Sequence, residues 1–580
     1  MDKIVKTLIK KYYSKVLFVS IFVLLNMYIL ILPPRIIGKI VDLLYDTDGN
    51  KLEIKKYISF LLASAVALLV VRLPWRYMVG VISRGVERDL KNKLFDQLMK
   101  IKLVSLHNTK NGQLMSYFTK NVGEIRHFTY KIVAFGTRII ATFIIVIYQM
   151  INGANMKLTL ITMCPIIITV ALSIKIKEYI IKSYRKSQKC YTELSEFVQE
   201  STDGIRTTKA YSGEGRQLKE FIKRNKALKQ SDNVVDFHAT MLSICIHIGF
   251  GLCYGISLIY GSKMVLKGEI SIGEFVAFNG YIGLFIGPVS WFSGVITGFE
   301  RAKVAYQKLS KFFELEREKI AISTLKSTNT ISGDIIIEDL SYNYIQTIEV
   351  ALNHINLKIK EGETLGIIGT IGSGKTTLMN LLLRLYPVPN GKISIGGKDI
   401  NDIPVEVLRK SICYITQDAF LFSSTLKDNV SLFRDNFEDE EILESTKSAV
   451  IHDEIDELDE GIYTIIGERG VDLSGGQKQR VVISRAFLQK SNIVIFDDIF
   501  SALDNRTEGQ VLKNVKKLTK GKTCIIISNR ISDIRDADNI IVLEEGNIVE
   551  QGKHDVLIKN NGLYSKLYAK QSSKEDSLLA

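Results

Sequence analysis

The chain changes its hydrophobic rhythm near the middle of its 580 residues. Up to about residue 300, long apolar runs alternate with basic stretches. From residue 333 onward, short apolar strands alternate with amphipathic helices and glycine-rich loops, an α/β pattern. Six early runs, residues 16–38, 57–81, 132–152, 158–176, 240–261 and 272–296, are long enough for a helix to cross a bilayer, which takes about 20 apolar residues. Several continue beyond about eighteen residues with almost no charge, which sets them apart from the buried helices of a soluble core. Pro165 interrupts the fourth run, as membrane helices tolerate when neighbouring groups satisfy the freed carbonyl. The first run is longer than a signal-peptide core, and no small-residue cleavage site follows it.

Charge orients these runs. Lys3, Lys6, Lys10, Lys11 and Lys15 precede the first, and the long connections 83–131 and 177–236 carry most of the other Lys and Arg between spans; the short connections 42–56 and 153–157 carry few. Cytoplasmic segments of membrane proteins are enriched in these residues. Both termini and both long connections are therefore expected on the cytoplasmic side of the plasma (inner) membrane. The net charge of +14 then reflects attraction to anionic lipid. Nucleic acid is not an expected partner, because no recognition motif accompanies the charge. The cysteines, Cys164, Cys190, Cys245, Cys253, Cys413 and Cys524, show neither a C-x-x-C pair nor metal-ligand spacing and read as reduced structural thiols. Each long connection can hold two helices running out of the membrane and back, with tips near residues 107–114 and 210–216.

The second half carries the chemistry. Gly369, Thr370, Ile371, Gly372, Ser373, Gly374, Lys375 and Thr376 match G-x-x-x-x-G-K-[ST], whose glycines let backbone N–H groups curl around phosphate oxygens at a helix N-terminus. A buried-strand run, 363–368, precedes the loop, and Thr377 opens an apolar helical run, 377–385. Lys375 is expected to reach the terminal phosphates of ATP, and the Thr376 hydroxyl to face Mg²⁺. About a hundred residues later comes Leu473, Ser474, Gly475, Gly476 and Gln477.

With these two motifs the chain resembles ATP-binding cassette (ABC) transporters, in which the second motif is the signature that grips ATP across a dimer. The resemblance implies that Tyr344 stacks on adenine, Gln417 touches Mg²⁺ and senses the membrane domain, and Asp497, ending the apolar strand 493–496, holds Mg²⁺ through water. It further implies that Asp504, in the loop 501–504, serves communication between the two ATP sites. Residues 464–470, with Glu468, are similar to a coupling loop of exporters, and 204–211 to an intracellular loop whose short transverse helix docks into a cassette. The implied fold is multi-domain: a polytopic helical membrane domain of six transmembrane helices (1–308), a linker (309–332), an α/β P-loop cassette with an antiparallel β subdomain and a helical subdomain (333–570), and a polar C-terminal tail (571–580). The implied assembly is a half-transporter that needs a second half-transporter chain.

Two positions depart from the family. The residue after Asp497 is normally Glu, the general base that orients the attacking water; here it is Asp498. The switch segment 525–530 carries Asn529 where the family has His. Asp is one methylene shorter, and a carboxylate misplaced by about 1 Å can cost roughly 100-fold in rate. Asn cannot carry charge to the γ-phosphate. By resemblance, Asp498, Asn529 and Gln417 all serve this chain's own site, whereas the intact signature serves the partner's. That one-sided damage points to an asymmetric heterodimer, with a slow symmetric homodimer as the alternative. For the transported substrate, Arg72, Arg76, Arg138 and His247 lie in the second, third and fifth spans, and Phe285 belongs to an aromatic stripe in the sixth. Charges at membrane depth tend to face a wet cavity. The expected function is ATP-driven export of a peptide, lipid or amphipathic small molecule by alternating access. The rival readings are an importer on the same scaffold, with siderophore-like cargo, and an ATP-gated channel or sensor.

Overall fold

The computed structural model describes residues 2–45, 51–106, 109, 111–318, 330–344, 350–467, 473–500 and 503–579. It divides into two units, Met1–Met99 with Thr109–Leu315, and Lys100–Asn108 with Glu316–Ala580.

In the first unit, six helical stretches among the described residues are long and apolar enough to cross a membrane. They belong to the helices Asp2–Tyr45 and Lys51–Lys100, to a continuous helical stretch Gly112–Gly153 that ends in the helix Thr137–Gly153, and to Met156–Asp203, Glu214–Leu266 and Ile272–Phe313. The third is approached through two single π-helical turns, Tyr117–Asn121 and Ile132–Gly136, so the start of the expected third run is wound more loosely than an α-helix. Pro165 lies inside the fourth helix without ending it. The fourth and sixth helices start where side chains satisfy the free N–H groups of the first turn. Asn155 accepts from Lys157 N, and Ser271 and Glu274 form a reciprocal capping box. Asp42 of the first helix adds to the second cap, accepting from Ser271 Oγ at 2.8 Å and Gly273 N at 2.6 Å. The same helices touch through Gly38 and Gly273, where a Cβ on either would collide with the other's carbonyl oxygen. Small residues are what let membrane helices approach this closely. In the core of this unit Phe278, Ile282 and Phe285 belong to one apolar cluster with Met150, Phe250 and Cys253.

The fourth and fifth helices lie side by side, tied by Ser183 Oγ to His238 Nδ1 at 2.9 Å. They are joined by the short helix Ile205–Ala210, which lies within the stretch 204–211. The first long connection turns earlier than expected. Its outgoing helix ends at Lys100, and the helix Leu103–Leu106 follows. His107, Asn108 and Lys110, in the expected tip, lie outside the described residues.

The second unit is built on a six-stranded sheet in the order Asn547–Gly552, Asn539–Glu544, Thr364–Gly369, Thr523–Ile527, Ile493–Asp497, Ile412–Ile415. All pairs are parallel except the first. Thr523–Ile527 and Ile493–Asp497 are buried along their whole length, because helices cover both faces of such a sheet and the strands read as unbroken apolar runs. A four-stranded antiparallel sheet holds Val350–Ile359, Ile335–Asn343, Ile393–Ile395 and Lys398–Asp399. A helical region contains Leu426–Ser431, Asp439–Ser448 and Gly475–Leu488. Residues 100–106 join this unit through Lys102 N to Glu316 O at 3.1 Å and Glu318 N to Lys100 O at 2.6 Å, and Glu318 grips Arg409 through both carboxylate oxygens, at 3.1 and 2.7 Å.

Two expected boundaries move. Residues 309–313, read as linker, continue the sixth helix, with Leu309 and Phe312 buried. Residues 571–579, read as a polar tail, continue the helix Leu563–Leu579. Polar composition alone does not end a helix.

Candidate active site

The phosphate loop spans the gap between the strand Thr364–Gly369 and the helix Lys375–Leu382. Gly374 takes φ +99°, and a Cβ there would lie 2.6 Å from Ala351 O, so both backbone and space demand glycine. Lys375 folds back over the loop and donates to Gly369 O and Thr370 O, both at 2.8 Å. Burial lowers its pKa, while Asp497 and Asp498 nearby oppose that shift. Beside the loop lies a hollow of about 340 Å³ lined by Tyr344, Ala351, Gly372, Ser373, Lys375, Thr376 and Thr377, among others. Ile371 projects from the loop fully exposed. Tyr344 packs edge-on against Tyr342 and Tyr386, each at 5.3 Å between ring centres, and its hydroxyl meets Thr377 Oγ1 at 3.1 Å.

Three strand ends open onto one cluster. Asp497 closes its strand with 5% exposure. Burial pushes its pKa up, Asp498 adds to this, and the Tyr414 hydroxyl and Lys375 hold it down. Asp498 follows in a left-handed conformation, φ +49°, which Asp tolerates better than most side chains; its N–H donates to Ile527 O at 2.8 Å. The Asp498 Oδ2 atom accepts from Gln417 Nε2 at 3.2 Å and from Asn529 Nδ2 at 3.1 Å. One carboxylate oxygen thus joins the glutamine loop, the aspartate strand and the switch segment. The switch is pinned from its other side: Gln571 of the C-terminal helix donates to Asn529 O at 2.8 Å and accepts from Ile531 N at 2.9 Å. Arg530 pairs with Glu508 at 2.5 Å.

The signature lies elsewhere in the unit. Ser474 caps the helix Gly475–Leu488 and exchanges hydrogen bonds with Gln477 at 2.7 and 3.3 Å. Leu473 packs on the helical core, while Ser474 and Gly475 are exposed. Gly476 opens the helix beside Gly475. Asp504 caps the helix Asn505–Thr519, accepting from Thr507 N at 3.1 Å. Glu468, Ser501 and Ala502 lie outside the described residues.

The cavity candidates of the helical unit do not form one site. Arg72, Arg76 and His247 are exposed and Arg138 is half-buried. Arg72 lies within electrostatic reach of Arg138, and His247 Nδ1 meets its own helix at Ser243 O, 2.7 Å away. Phe285, expected to line a cavity, is instead 0% exposed and packs against Phe143 at 5.2 Å; its place in an aromatic stripe reflects core packing. A hollow of about 520 Å³ in this unit is lined by Ile29, Leu32, Arg35, Tyr57 and Phe60, with neighbours, and by none of the five candidates.

Sequence reasoning passed over Tyr414 and Gln571. The signal for Tyr414 was a lone hydroxyl in an otherwise aliphatic strand three residues before Gln417. Gln571 carried none, since its partners are backbone atoms.

The chain matches the family model of the ABC transporter transmembrane region over residues 16–289 and that of the ABC transporter over residues 352–501. It is 30% identical over 549 residues to the probable multidrug resistance ABC transporter ATP-binding/permease protein YheI of Bacillus subtilis, covering 93% of this chain and 92% of that protein. The chain belongs to the ABC transporter family. A further relative, the uncharacterized ABC transporter ATP-binding protein YwjA of Bacillus subtilis, is 33% identical over 527 residues, 89% of this chain and 88% of that one. The fold is that of a solved bacterial Atm1-family ABC exporter with ATP bound, at TM-score 0.82 and 23% identity over 97% of this chain and 98% of that chain. The transporter is a multi-pass membrane protein of half-transporter architecture. It binds ATP through its cassette and couples ATPase activity to transport, and half-transporters of this kind work as dimers.

Proposed function

We propose that this transporter is one half of a heterodimeric exporter in the plasma membrane, with both termini and the cassette in the cytoplasm, and that its own ATP site is the weaker of two. The carrying observation is the Asp498 carboxylate, held on one oxygen by both Gln417 and Asn529. Both departures from the family therefore fall in a single cluster, and the shortened carboxylate is engaged by two amides. The signature helix start keeps its cap, so the site it completes on the partner is the competent one.

In this reading Tyr344 faces adenine, and the loop 369–377 with Lys375 takes the β- and γ-phosphates. Ser474 and Gly476, flanked by Leu473, Gly475 and Gln477, grip the partner's ATP, while Asp504 and Glu468 serve communication and coupling. Mg²⁺ fits the donor set of the Thr376 hydroxyl, Gln417 amide oxygen and Asp497 carboxylate. These are hard oxygen ligands, as suits Mg²⁺ held together with substrate phosphates. Bound there, it would neutralise charge on the phosphate oxygens. The membrane domain of residues 1–308 moves a peptide, lipid or amphipathic molecule by alternating access, with Arg72 and Arg138 as candidates for contact with an acidic group.

Purification of the tagged chain from its native membrane tests the assembly. A second half-transporter with Glu and His at the positions of Asp498 and Asn529 is the expected companion. A homodimer whose turnover collapses on Asp498→Asn would overturn the asymmetric reading.

A further inference from the structure

The strand Ile412–Ile415 runs parallel to Ile493–Asp497, with Tyr414 opposite Ile495. Side chains two apart in a strand share a face, so this register brings the Tyr414 ring alongside Asp497. The Tyr414 hydroxyl donates to Asp497 Oδ2 at 2.8 Å, and the ring packs on the apolar core beneath the sheet. Among the described residues this is the only hydrogen bond made by the Asp497 side chain, whose other oxygen is left without a donor. A carboxylate rotates about a soft torsion. A donor anchored in the core removes that freedom and settles which oxygen stays open.

We propose that Tyr414 is a positioning residue for the metal site: by holding one oxygen of Asp497, it fixes the other in place for the water shell of Mg²⁺. The proposal rests on the assignment of Asp497 as a Mg²⁺-binding group. Partners that orient metal ligands without touching the metal commonly change metal affinity by about 10–100-fold when lost. Contact through water places this case near 10-fold.

The test uses the assembled transporter and a photoreactive azido-ATP whose labelling is read on the tagged chain alone. Labelling is titrated with free Mg²⁺ and repeated in EDTA. In Tyr414→Phe, which deletes only the hydroxyl, the Mg²⁺ concentration for half-maximal labelling should rise about 10-fold, with labelling in EDTA unchanged. In an Asp497→Asn background the same substitution should add nothing further, since the two groups act as a unit. An unchanged Mg²⁺ midpoint, an equal loss in EDTA, or full additivity with Asp497→Asn would each overturn the proposal. Wild-type labelling indifferent to Mg²⁺ would overturn both the metal assignment and this role. Wild-type dependence with an unaltered Tyr414→Phe would overturn this role alone.

Discussion

The phosphate-loop side of the cassette and its signature side are built in opposite ways. The signature is contiguous: Leu473 to Gln477 shape themselves through one capping box at one helix start. The phosphate-loop side is assembled from stretches far apart in sequence, with Lys375, Gln417, the neighbours Asp497 and Asp498, and Asn529 delivered by four strand ends. A local motif keeps its geometry as long as its few residues persist. An assembled site is only as good as its least well placed member, and Asp498 and Asn529 both lie in it. There the Asp498 carboxylate is held by two amides that come from two other strand ends.

The largest effect that can break this contrast comes from the signature. Ser474→Arg fills the exposed helix start with a bulky side chain and should lower ATPase turnover of the assembled transporter by about 100-fold or more, the scale at which misplaced groups stop catalysis. ATP should still label this chain's own loop. The matching change in the partner's signature should be far milder, and equal losses would show that the two sides do equal work. Next in size is Lys375→Ala. Loss of a charge-assisted hydrogen bond to phosphate costs about 1.5–3 kcal/mol, or roughly 10–100-fold in affinity, and azido-ATP labelling of this chain should fall accordingly while the partner keeps its nucleotide.

If the proposed asymmetry holds, Asp498→Asn should reduce turnover of the complex by less than about threefold, because the shape and an acceptor oxygen survive and charge is lost only from the weaker of the two sites. The equivalent Glu→Gln in the partner should nearly stop it. A steep loss from Asp498→Asn would make this the main hydrolytic site. The smallest effect concerns the support beneath the switch. His554 is buried with Nδ1 against the Tyr564 hydroxyl at 2.8 Å, on the helix that also carries Gln571. Burial, helped by Arg535, lowers its pKa below the ordinary 6.5, so the unfolded chain takes up that proton first. Its contribution to stability is therefore present above about pH 6.5 and lost as pH falls through the folded value. His554→Gln should flatten the acid side of the cassette's melting temperature against pH, and an unaltered profile would remove His554 as its source.

Six apolar runs and two long basic connections were legible in the chain because a bilayer demands length and hydrophobicity, which are properties of contiguous residues. The phosphate loop and the signature were legible for the same reason: each owes its shape to neighbours in sequence. The sheet order, the earlier turn at Lys100, the helical continuations at 309–313 and 571–579, and the burial of Phe285 were decided by tertiary packing. So were the hydroxyl of Tyr414 on Asp497 and the grip of Gln571 on the backbone around Asn529. A hydrogen bond between residues some eighty positions apart, or to a main-chain atom that every residue shares, leaves no periodicity and no motif behind. It exists only once the strands that carry its two ends lie side by side.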